Sequence, residues 1–556
     1  MIVTERAEVR EADAPRRGVD ARIVWILVGL VTAIALGLRL WSISHGLPAI
    51  YNPDELRHFV DRAVDFHLTG SQDPDYFVNP PAITYVFWVV FAVWFGGSEG
   101  VAEMAATDPA AAYLVARVVV ALIGAGDPIV IFLVGRRLFG NRVGLVAALL
   151  MAVAFLPVHW SHFATNDVAA MVAATLSLLG SALILKNPGW RAYLVAGAGL
   201  GVAVGTKYTA GIVLLPLLTA AFFHWRADRR RAFVGVAVAG VASVIIFLLA
   251  VPSLVVDTQS VLDELNRLNL PGEGSPKIGQ AQESGFRYYL WVLTWGLGWL
   301  ACAGAVFGGV WLAVKDRRAA LVLIPAPIAY LLFMGGQPAF FGRWLLPVFP
   351  FIVLLAAFGA VRLADFVTRR LGWSPVPVLV VLTALLCAQS LIHVVHMNRA
   401  LGRTDTRTMA AEWMQANVPP GDGFVDQYLL IRYLVDRDAV GEKWEVIPMN
   451  LGPSTGGAGP GWIDRWEREG VCWVSAGSQY YDRVFTDEHL RPGPAAYYRA
   501  LEERAEVAFH ASSYRPGEGP VPFNFDWASN LYPFAFERPG GDVTIYRLQG
   551  GRCAEE

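Results

Sequence analysis

The sequence predicts a polytopic α-helical membrane protein that carries a folded α/β domain at its C-terminal end. Of its 556 residues, 55% are hydrophobic and only 17% are charged, against roughly 25% in ordinary soluble domains. Apolar segments long enough to cross a bilayer recur between residues 23 and 395, and a polar stretch follows them. The net charge of −2 lacks the concentrated basic field of nucleic-acid-binding proteins, so we expect no nucleic-acid partner.

The N-terminal end predicts a membrane anchor. Residues 1–21 are polar and are predicted to form a disordered cytoplasmic tail. The apolar run 23–43 is long enough to cross the bilayer, and no small-residue cleavage site follows it, so it is interpreted as a retained span. Residues 52–68 alternate apolar and charged positions at helical spacing, which predicts an amphipathic helix lying in the membrane interface.

The basic clusters between the later apolar segments predict the orientation of the chain. They occur in alternate connections, which the positive-inside rule makes cytoplasmic, while the other connections and the stretch after His396 face outward. The predicted apolar segments are 81–96, 113–135, 143–158, 168–185, 192–206, 208–224, 233–251, 288–314, 319–334, 344–361 and 376–395.

The segment 80–97 breaks this alternation. The connection after it, residues 98–112, contains acids but no Lys or Arg, so both ends of the segment are predicted to be external. A re-entrant or tilted juxtamembrane helix satisfies this pattern. It leaves about eleven true spans, with a twelfth as the alternative.

Three regions follow from this pattern: the tail 1–21, a transmembrane domain 22–396 whose first outer loop is 44–112, and an extracytoplasmic α/β domain 397–556. In the last region, residues 406–417 have a helical pattern, and residues 423–430, 471–475 and 543–548 have strand-like patterns. Cys472 and Cys553 fall in this region, where an oxidising compartment could pair them.

The first candidate site is the stretch from Tyr51 to Glu55. Asn52 is a favoured helix N-cap, Pro53 suits the first helical position, and Asp54 and Glu55 suit the first turn. These acids could therefore only start a helix. However, a start signal needs no pair of acids together with His58 beside a membrane span, and charges near hydrocarbon are often functional. The local pattern favours the two interpretations equally.

The second candidate is the outward turn from His159 to Asp167. Asp167 can either complement the dipole of the following helix or serve in a site. His159 and His162, three residues apart, could share a divalent metal ion with Asp167 or Asp54, although hydrogen-bonded histidines at the membrane interface would show the same spacing.

Three cations near the outward face form the third candidate: Lys207, Arg343 and Arg287. The positive-inside rule does not explain basic residues on this side, whereas phosphate binding does. Snorkelling toward lipid headgroups is the competing interpretation, especially for Arg287.

Several motifs occur in a distinctive order: Asn52-Pro53-Asp54-Glu55, Asn79-Pro80-Pro81, Gly135 to Gly140, His162 to Asp167, Thr206-Lys207-Tyr208 and Arg343 to Pro347. In this order and membrane placement the chain resembles the C-type (GT-C) membrane glycosyltransferases, in the branch that holds protein O-mannosyltransferases and the aminoarabinose transferases of lipid A. The resemblance covers residues 22–395. Residues 405–421 also resemble the start of the extracytoplasmic tail in bacterial relatives.

The resemblance implies an inverting transfer of one sugar from a polyprenyl-phosphate carrier to a hydroxyl acceptor on the extracytoplasmic face of a bacterial-type plasma membrane. It makes Asp54 the general base with Glu55 as its neighbour, and Asp167 an acid that orients the acceptor or helps to hold a divalent ion. It makes Lys207 and Arg343 candidates for the donor phosphate, and Arg287 is a further candidate from its position near the outward face alone. Tyr51, His58, His162 and Tyr208 are candidates for positioning the substrates. Some relatives have Lys where this chain has Asn79, so other cations or a metal must then neutralise the phosphate.

Two other functions remain open on the sequence. A transporter or flippase of a lipid-linked sugar also needs many spans and charges, but it would more typically show inverted repeats and charges in mid-span. A polytopic scaffold would use the acids only as helix caps. The loop 252–286, rich in Gly, Pro and charge, is predicted to close over the carrier site as a gate.

Overall fold

The computed structural model of the protein describes residues 20–256, 258–267, 277, 279–280, 284–427, 445–448, 459–521 and 532–554. Residues 1–19 of the predicted disordered tail lie outside these residues, as do residues 257, 268–276, 278 and 281–283 of the predicted gate loop. The part of the predicted strand 423–430 that follows Gln427 also lies outside them.

The membrane region is a bundle of long apolar helices, which makes the chain a multi-pass membrane protein. Within the described residues, nine helical segments are long and apolar enough to cross a bilayer. They are Ala21–Leu40, Ala110–Phe139, Asp167–Lys186, Tyr208–Ala227, Arg229–Ala250, Gly285–Lys315, Arg317–Gly335, Gly342–Leu371 and Pro375–Asn417.

Twenty α-helices make up the chain as far as Asn417. They are α1 Ala21–Leu40, α2 Val60–Thr69, α3 Ala82–Phe95, α4 Ser98–Thr107, α5 Ala110–Phe139, α6 Asn141–Val153, α7 Phe155–Trp160, α8 Asp167–Lys186, α9 Trp190–Thr206, α10 Leu214–Ala227, α11 Arg229–Ala250, α12 Ser253–Val256, α13 Thr258–Arg267, α14 Gly285–Leu293, α15 Trp299–Lys315, α16 Arg317–Leu323, α17 Pro325–Gly335, α18 Phe349–Leu371, α19 Pro375–Leu401 and α20 Thr406–Asn417. Two 3₁₀ helices, Tyr208–Val213 and Gly342–Val348, and two π-helical turns, Glu55–Phe59 and Thr294–Gly298, interrupt this series.

The sequence predicts about eleven spans, whereas nine of the described helical segments are long and apolar enough to cross a bilayer. The difference arises at two of the predicted segments. The predicted segment 143–158 is divided between α6, of 13 residues, and the short α7, with a break at Ala154. The predicted segment 192–206 is α9, of 17 residues. Both segments are helical but shorter than the other spans, so the count of eleven remains a prediction.

The segment 80–97, which does not fit the predicted alternation of basic connections, is sharply bent. Helices α3 and α4 meet at an angle of 88°. Gly96 and Gly97 form the corner with φ angles of +88° and +94°, a region that glycine enters at little cost. This geometry suits the predicted re-entrant or tilted juxtamembrane helix, and the side of the membrane on which it lies remains a prediction.

The centre of the bundle lies at α18. In the most apolar stretch of the segment Gly342–Leu371, which contains α18, 94% of the residues are buried. The corresponding share is 22% in α1 and in α11, at the periphery. Close backbone approach holds neighbouring helices together: a Cβ atom on Gly197 of α9 would lie 2.2 Å from the carbonyl oxygen of Ala239 in α11. The central helices therefore form a packed scaffold for the loops at their ends.

The C-terminal region folds around its own hydrophobic core and a five-stranded mixed sheet. The sheet order is β2-β1-β3-β5-β4; β1 pairs in parallel with β2 and β3, and β5 pairs antiparallel with β3 and β4. Its elements are β1 Gly423–Asp426, β2 Glu445–Pro448, α21 Gly461–Glu469, β3 Trp473–Gly477, α22 Ser478–Thr486, α23 Pro492–Arg504, β4 Ala505–Ala511, β5 Val543–Leu548 and a 3₁₀ turn Gly551–Ala554. Cys472 and Cys553 form the disulfide that the sequence suggested.

The C-terminal region contacts the membrane region directly. The hydroxyl of Tyr51 lies 2.7 Å from that of Thr408 in α20, and the guanidinium of Arg407 lies 3.9 Å from the centre of the Tyr51 ring. Tyr532 and Phe536 are buried in the hydrophobic core of the membrane region. The tail is therefore anchored next to the first loop, which carries the paired acids.

Candidate active site

Asp54 lies where the first loop enters a helix. The side-chain oxygen of Asn52 accepts a hydrogen bond from the backbone N–H of Asp54 at 3.0 Å, the capping role predicted for Asn52. The π-helical turn Glu55–Phe59 follows at once, and such turns are frequent at functional sites. One oxygen of the Asp54 carboxylate accepts a hydrogen bond of 2.9 Å from Nη2 of Arg343. The backbone N–H of Asp54 is thus capped by Asn52, while the Asp54 carboxylate forms an ion pair with Arg343.

Arg343 connects two acids that are distant in sequence. Its Nε lies 3.7 Å from the Oδ2 atom of Asp167, while its Nη2 contacts Asp54. The guanidinium is also held between aromatic rings, 4.9 Å from the centre of Trp160 and 4.7 Å from that of Phe341. A planar guanidinium can serve both acids at once, which a lysine ammonium could not do with the same geometry.

Lys207 completes a chain of alternating charges. Its ammonium donates a short hydrogen bond to the Oδ1 atom of Asp167 and lies 5.9 Å from the ring centre of Trp344. The chain therefore runs Asp54, Arg343, Asp167, Lys207, and we call these four residues the charge chain. The Asp54 side chain is 28% exposed, whereas the Asp167 side chain is only 2% exposed. The accessible end of the charge chain is Asp54.

An amide pair lies beside the charge chain. The side-chain nitrogen of Asn166 donates to the backbone oxygen of Thr206 at 2.7 Å and to the side-chain oxygen of Asn79 at 3.3 Å. Asn79 in turn donates to the hydroxyl of Tyr76 at 2.7 Å. Asn79, at which some relatives have Lys, is thus adjacent to the site, where it supplies a neutral amide and no positive charge.

Glu55 has different partners from Asp54. Its carboxylate accepts hydrogen bonds from Nε and Nη2 of Arg117 at 2.8 and 2.9 Å, and from the backbone N–H of Ala164 at 2.7 Å. Arg117 also donates to the backbone oxygen of His45 at 2.8 Å. Glu55 is fully buried. This geometry supports an anchoring role for Glu55, which ties the first loop to α5 and to the turn before α8.

The predicted substrate-positioning residues are divided between two places. His58 stacks on Tyr76 with ring centres 4.0 Å apart and lies near the charge chain. Burial lowers the pKa of His58, and the nearby Asp54 carboxylate acts in the opposite direction. Tyr208 follows Lys207 directly and is half-buried. Tyr51 instead contacts α20 of the C-terminal region.

The predicted histidine pair does not form a metal site with the acids. The ring nitrogens of His162 each lie 2.9 Å from a backbone oxygen, those of Val158 and Trp41. Nδ1 of His159 lies 2.9 Å from the sulfur of Met397. Asp54 and Asp167 are already paired with cations, and no group of three His, Cys, Asp or Glu residues gathers anywhere in the described ranges. The donor set therefore does not fit a divalent ion in this arrangement.

Arg287 is separate from the charge chain. It is exposed on α14, and none of the contacts described within residues 284–427 joins it to the other predicted phosphate ligands. Its position agrees with the competing interpretation, a side chain that extends toward lipid headgroups.

The sequence interpretation missed Arg117 and Tyr76. It included Trp160 and Asn166 in the turn His159 to Asp167 but assigned them no role in the charge chain. A signal was present for Arg117 only, because a single arginine inside an apolar span is rarely without function.

Comparisons with solved structures support a shared fold. The apo oligosaccharyltransferase of Archaeoglobus fulgidus aligns with a TM-score of 0.57 and 14% identity, covering 91% of this chain and 75% of that chain. ArnT from Cupriavidus metallidurans in the apo state aligns with a TM-score of 0.51 and 19% identity, covering 84% and 95%. No curated protein sequence matches this chain significantly.

The chain therefore has the fold of the C-type membrane glycosyltransferases, which confirms the resemblance. Within this class, residues 110–255 match the family described as dolichyl-phosphate-mannose-protein mannosyltransferase. The matched segment begins at α5 and includes Asp167 and Lys207 of the charge chain. The chain is thus similar to membrane glycosyltransferases in its fold and, over residues 110–255, in its sequence.

Proposed function

We propose that this protein is an inverting glycosyltransferase that moves one sugar from a polyprenyl-phosphate-linked donor to a hydroxyl group of a protein, glycolipid or polysaccharide. The observation that carries the proposal is the charge chain itself. Four charged residues from separate parts of the sequence converge there, and a partly exposed carboxylate stands at its accessible end. Such a set offers a proton acceptor beside two cations, the groups that glycosyl transfer from a phosphate requires.

Asp54 acts as the general base in this mechanism. The acceptor O–H gives its proton to the Asp54 carboxylate while the acceptor oxygen bonds to the anomeric carbon of the sugar. The bond between that carbon and the phosphate oxygen breaks on the opposite face, and the electron pair leaves with the phosphate. A positioned carboxylate of this kind contributes on the order of 10²- to 10⁴-fold in rate.

Arg343 and Lys207 stabilise the departing phosphate. In the structure, Arg343 holds Asp54 and Asp167 together. When a donor phosphate binds Arg343, the guanidinium exchanges its contact with Asp54 for one with the phosphate. The Asp54 lone pairs then become free for the acceptor proton. Donor binding and activation of the base are thereby coupled through one side chain, and the cations stabilise charge that grows in the transition state.

Charge neutralisation by these two cations needs no metal ion. One structure of the A. fulgidus enzyme was determined in complex with zinc and sulfate. In this chain, cations occupy both acids of the charge chain, so no step of the proposed mechanism runs through a metal. We expect transfer to continue in the presence of a chelator.

The neighbours support a lipid-linked donor and an envelope acceptor in general terms. ArnT has been crystallised with undecaprenyl phosphate, and the archaeal enzyme has been determined with dolichol-phosphate and with an acceptor peptide. We place the N-terminus in the cytoplasm and both the charge chain and the C-terminal domain outside it, in a bacterial-type plasma membrane, because the basic connections alternate in that sense. The C-terminal domain, anchored beside the first loop, takes part in selecting the acceptor.

The two other functions explain the site less well. A transporter would expose its charges along a path through the membrane. A scaffold would not need Arg343 to be held between two acids and two aromatic rings.

The test is a transfer assay with purified protein and a panel of polyprenyl-phosphate sugars, with and without a chelator. Wild-type protein should transfer at least one of these sugars. Asp54→Asn should reduce the rate by about 10²- to 10⁴-fold without changing elution on size exclusion. Transfer at the wild-type rate by a folded Asp54→Asn protein would refute the mechanism.

A further inference from the structure

A groove of about 870 Å³ lies between α19 and the segment that precedes β5, away from the charge chain. Its apolar wall includes Leu391 and Ile392 of α19 and Phe534 of the C-terminal region. These side chains are 39%, 57% and 48% exposed, respectively. Since α19 is long and apolar enough to cross a bilayer, we expect the exposed apolar side chains of this wall to lie beside acyl chains.

The other end of the groove carries positive charge. Arg399 lies on the same helix beyond the apolar wall, Arg403 follows just after the end of that helix, and Arg515 approaches from the C-terminal region. Arg399 follows Leu391 by eight residues, which places it about 12 Å farther along the helix axis. The apolar wall and the positive end therefore lie in the same order along the groove as the acyl chain and the headgroup along a lipid.

Two of the three arginines are available to a ligand. Arg403 forms an ion pair with Glu537. Arg399 and Arg515 make no ion pair with any residue that the structure describes, although Glu518 also lines the groove. Two guanidinium groups beside an apolar wall match one phosphate group attached to hydrocarbon chains.

We propose that this groove binds an anionic membrane phospholipid, with its phosphate on Arg399 and Arg515 and an acyl chain against Leu391, Ile392 and Phe534. A free sugar phosphate has no hydrocarbon to cover this wall. The lipid-linked donor would have to reach Arg343 and Lys207, and neither residue lines the groove. A phospholipid from the surrounding bilayer satisfies both ends and needs no access to the charge chain.

The position of the groove gives the bound lipid a structural consequence. Because α19 forms one wall and the C-terminal region the other, a lipid between them joins the two regions. Anionic lipid thereby holds the C-terminal region against the membrane bundle.

The test uses the full-length protein in a neutral detergent and dioctanoyl phosphatidylglycerol as the probe, with bound lipid counted by native mass spectrometry. The double variant Arg399→Gln/Arg515→Gln should bind the probe at least about tenfold more weakly, since each lost charged hydrogen bond is worth about this factor. Phe534→Ala should also weaken binding, because it removes apolar wall while both charges remain. Arg370→Gln, an exposed arginine at the end of α18, is the matched control and should bind like wild type.

Several results would overturn the proposal. Unchanged affinity in the double variant would exclude the arginines as the phosphate site, and equal binding of dioctanoyl phosphatidylcholine would exclude selection for an anionic lipid. Displacement of the probe by equimolar undecaprenyl phosphate would assign the groove to the donor carrier instead. Since no sugar transfer is measured, these outcomes are independent of the proposed enzymatic function.

Discussion

The regions around Asp54 and Glu55 show how two adjacent carboxylates can serve different purposes. Asp54 makes one hydrogen bond to Arg343, and its side chain is 28% exposed. Glu55 makes two to Arg117 and one to a backbone amide, and its side chain is 0% exposed. A partly exposed ion pair such as Asp54–Arg343 can exchange partners. A buried pair such as Glu55–Arg117 cannot do so without a large free-energy penalty. The comparison therefore assigns chemistry to Asp54 and anchoring to Glu55.

The largest expected effect tests the anchoring half of this comparison. Glu55→Ala leaves the Arg117 charge buried without its anionic partner, which should destabilise the protein by about 3–5 kcal/mol. Asp54→Ala, the matched control, should cost no more than about 1 kcal/mol, because its pair is partly solvated. The stability of each variant is measured as the temperature at which its monodisperse peak on size exclusion is lost. Equal losses in the two variants would remove the distinction between the acids.

A smaller effect tests the exchange of partners at the chemical site. Arg343→Lys keeps the charge but cannot contact Asp54 and Asp167 together, so kcat/KM for the lipid-linked donor should fall roughly 10- to 100-fold, the loss of one charged hydrogen bond. Arg362→Lys is the control, since the ion pair of Arg362 within the described residues is with Asp365, three residues along the same helix. A drop of equal size in both variants would show that the charge chain has no special role.

A third effect concerns the partly buried carboxyl group of Asp482 in the C-terminal region. Burial, reinforced by the nearby Asp542, raises the pKa of Asp482 from 3.8 to about 7. The folded state thus holds a proton that the unfolded state has lost between these values, and the C-terminal domain should lose stability as the pH rises from about 4 to 7. Asp482→Asn should remove this dependence.

Hydrogen exchange of β5 in the full-length protein measures the effect of Asp482. Protection in wild type relative to Asp482→Asn should fall between pH 5 and pH 8, after correction for the intrinsic exchange rate. A constant ratio would show that the Asp482 proton does not contribute to the stability of this domain.

Much of the architecture could be predicted from local patterns. The positions of the spans follow from apolar runs, and the re-entrant or tilted helix was predicted from a connection without basic residues; the bend at Gly96 and Gly97 came from the structure. The pairing of Cys472 with Cys553 also agreed with the sequence-based suggestion. The predicted segment 143–158 shows the limit, because sequence hydropathy does not reveal the break at Ala154 that divides it into α6 and α7.

The candidate site could be predicted only as a set of residue types. Asp54, Asp167, Lys207 and Arg343 were singled out because each is a charge near the predicted outward face. The metal hypothesis for His159 and His162 had the same kind of support, yet their described ring-nitrogen contacts are with backbone oxygens and a methionine sulfur. Spacing along the chain shows which groups could meet, but the direction of each side chain decides which do.

The sequence by itself determined a multi-pass helical membrane protein, the order of its motifs, and the face on which its unusual charges are expected to gather. Hydropathy and charge act locally, so they can be recognised without a fold. Only the tertiary structure separated Asp54 from Glu55, because their partners Arg343 and Arg117 are distant from them in the sequence. Which acid meets which arginine depends on how α5, α8 and the Gly342–Val348 turn pack together, and packing is a property of the whole bundle.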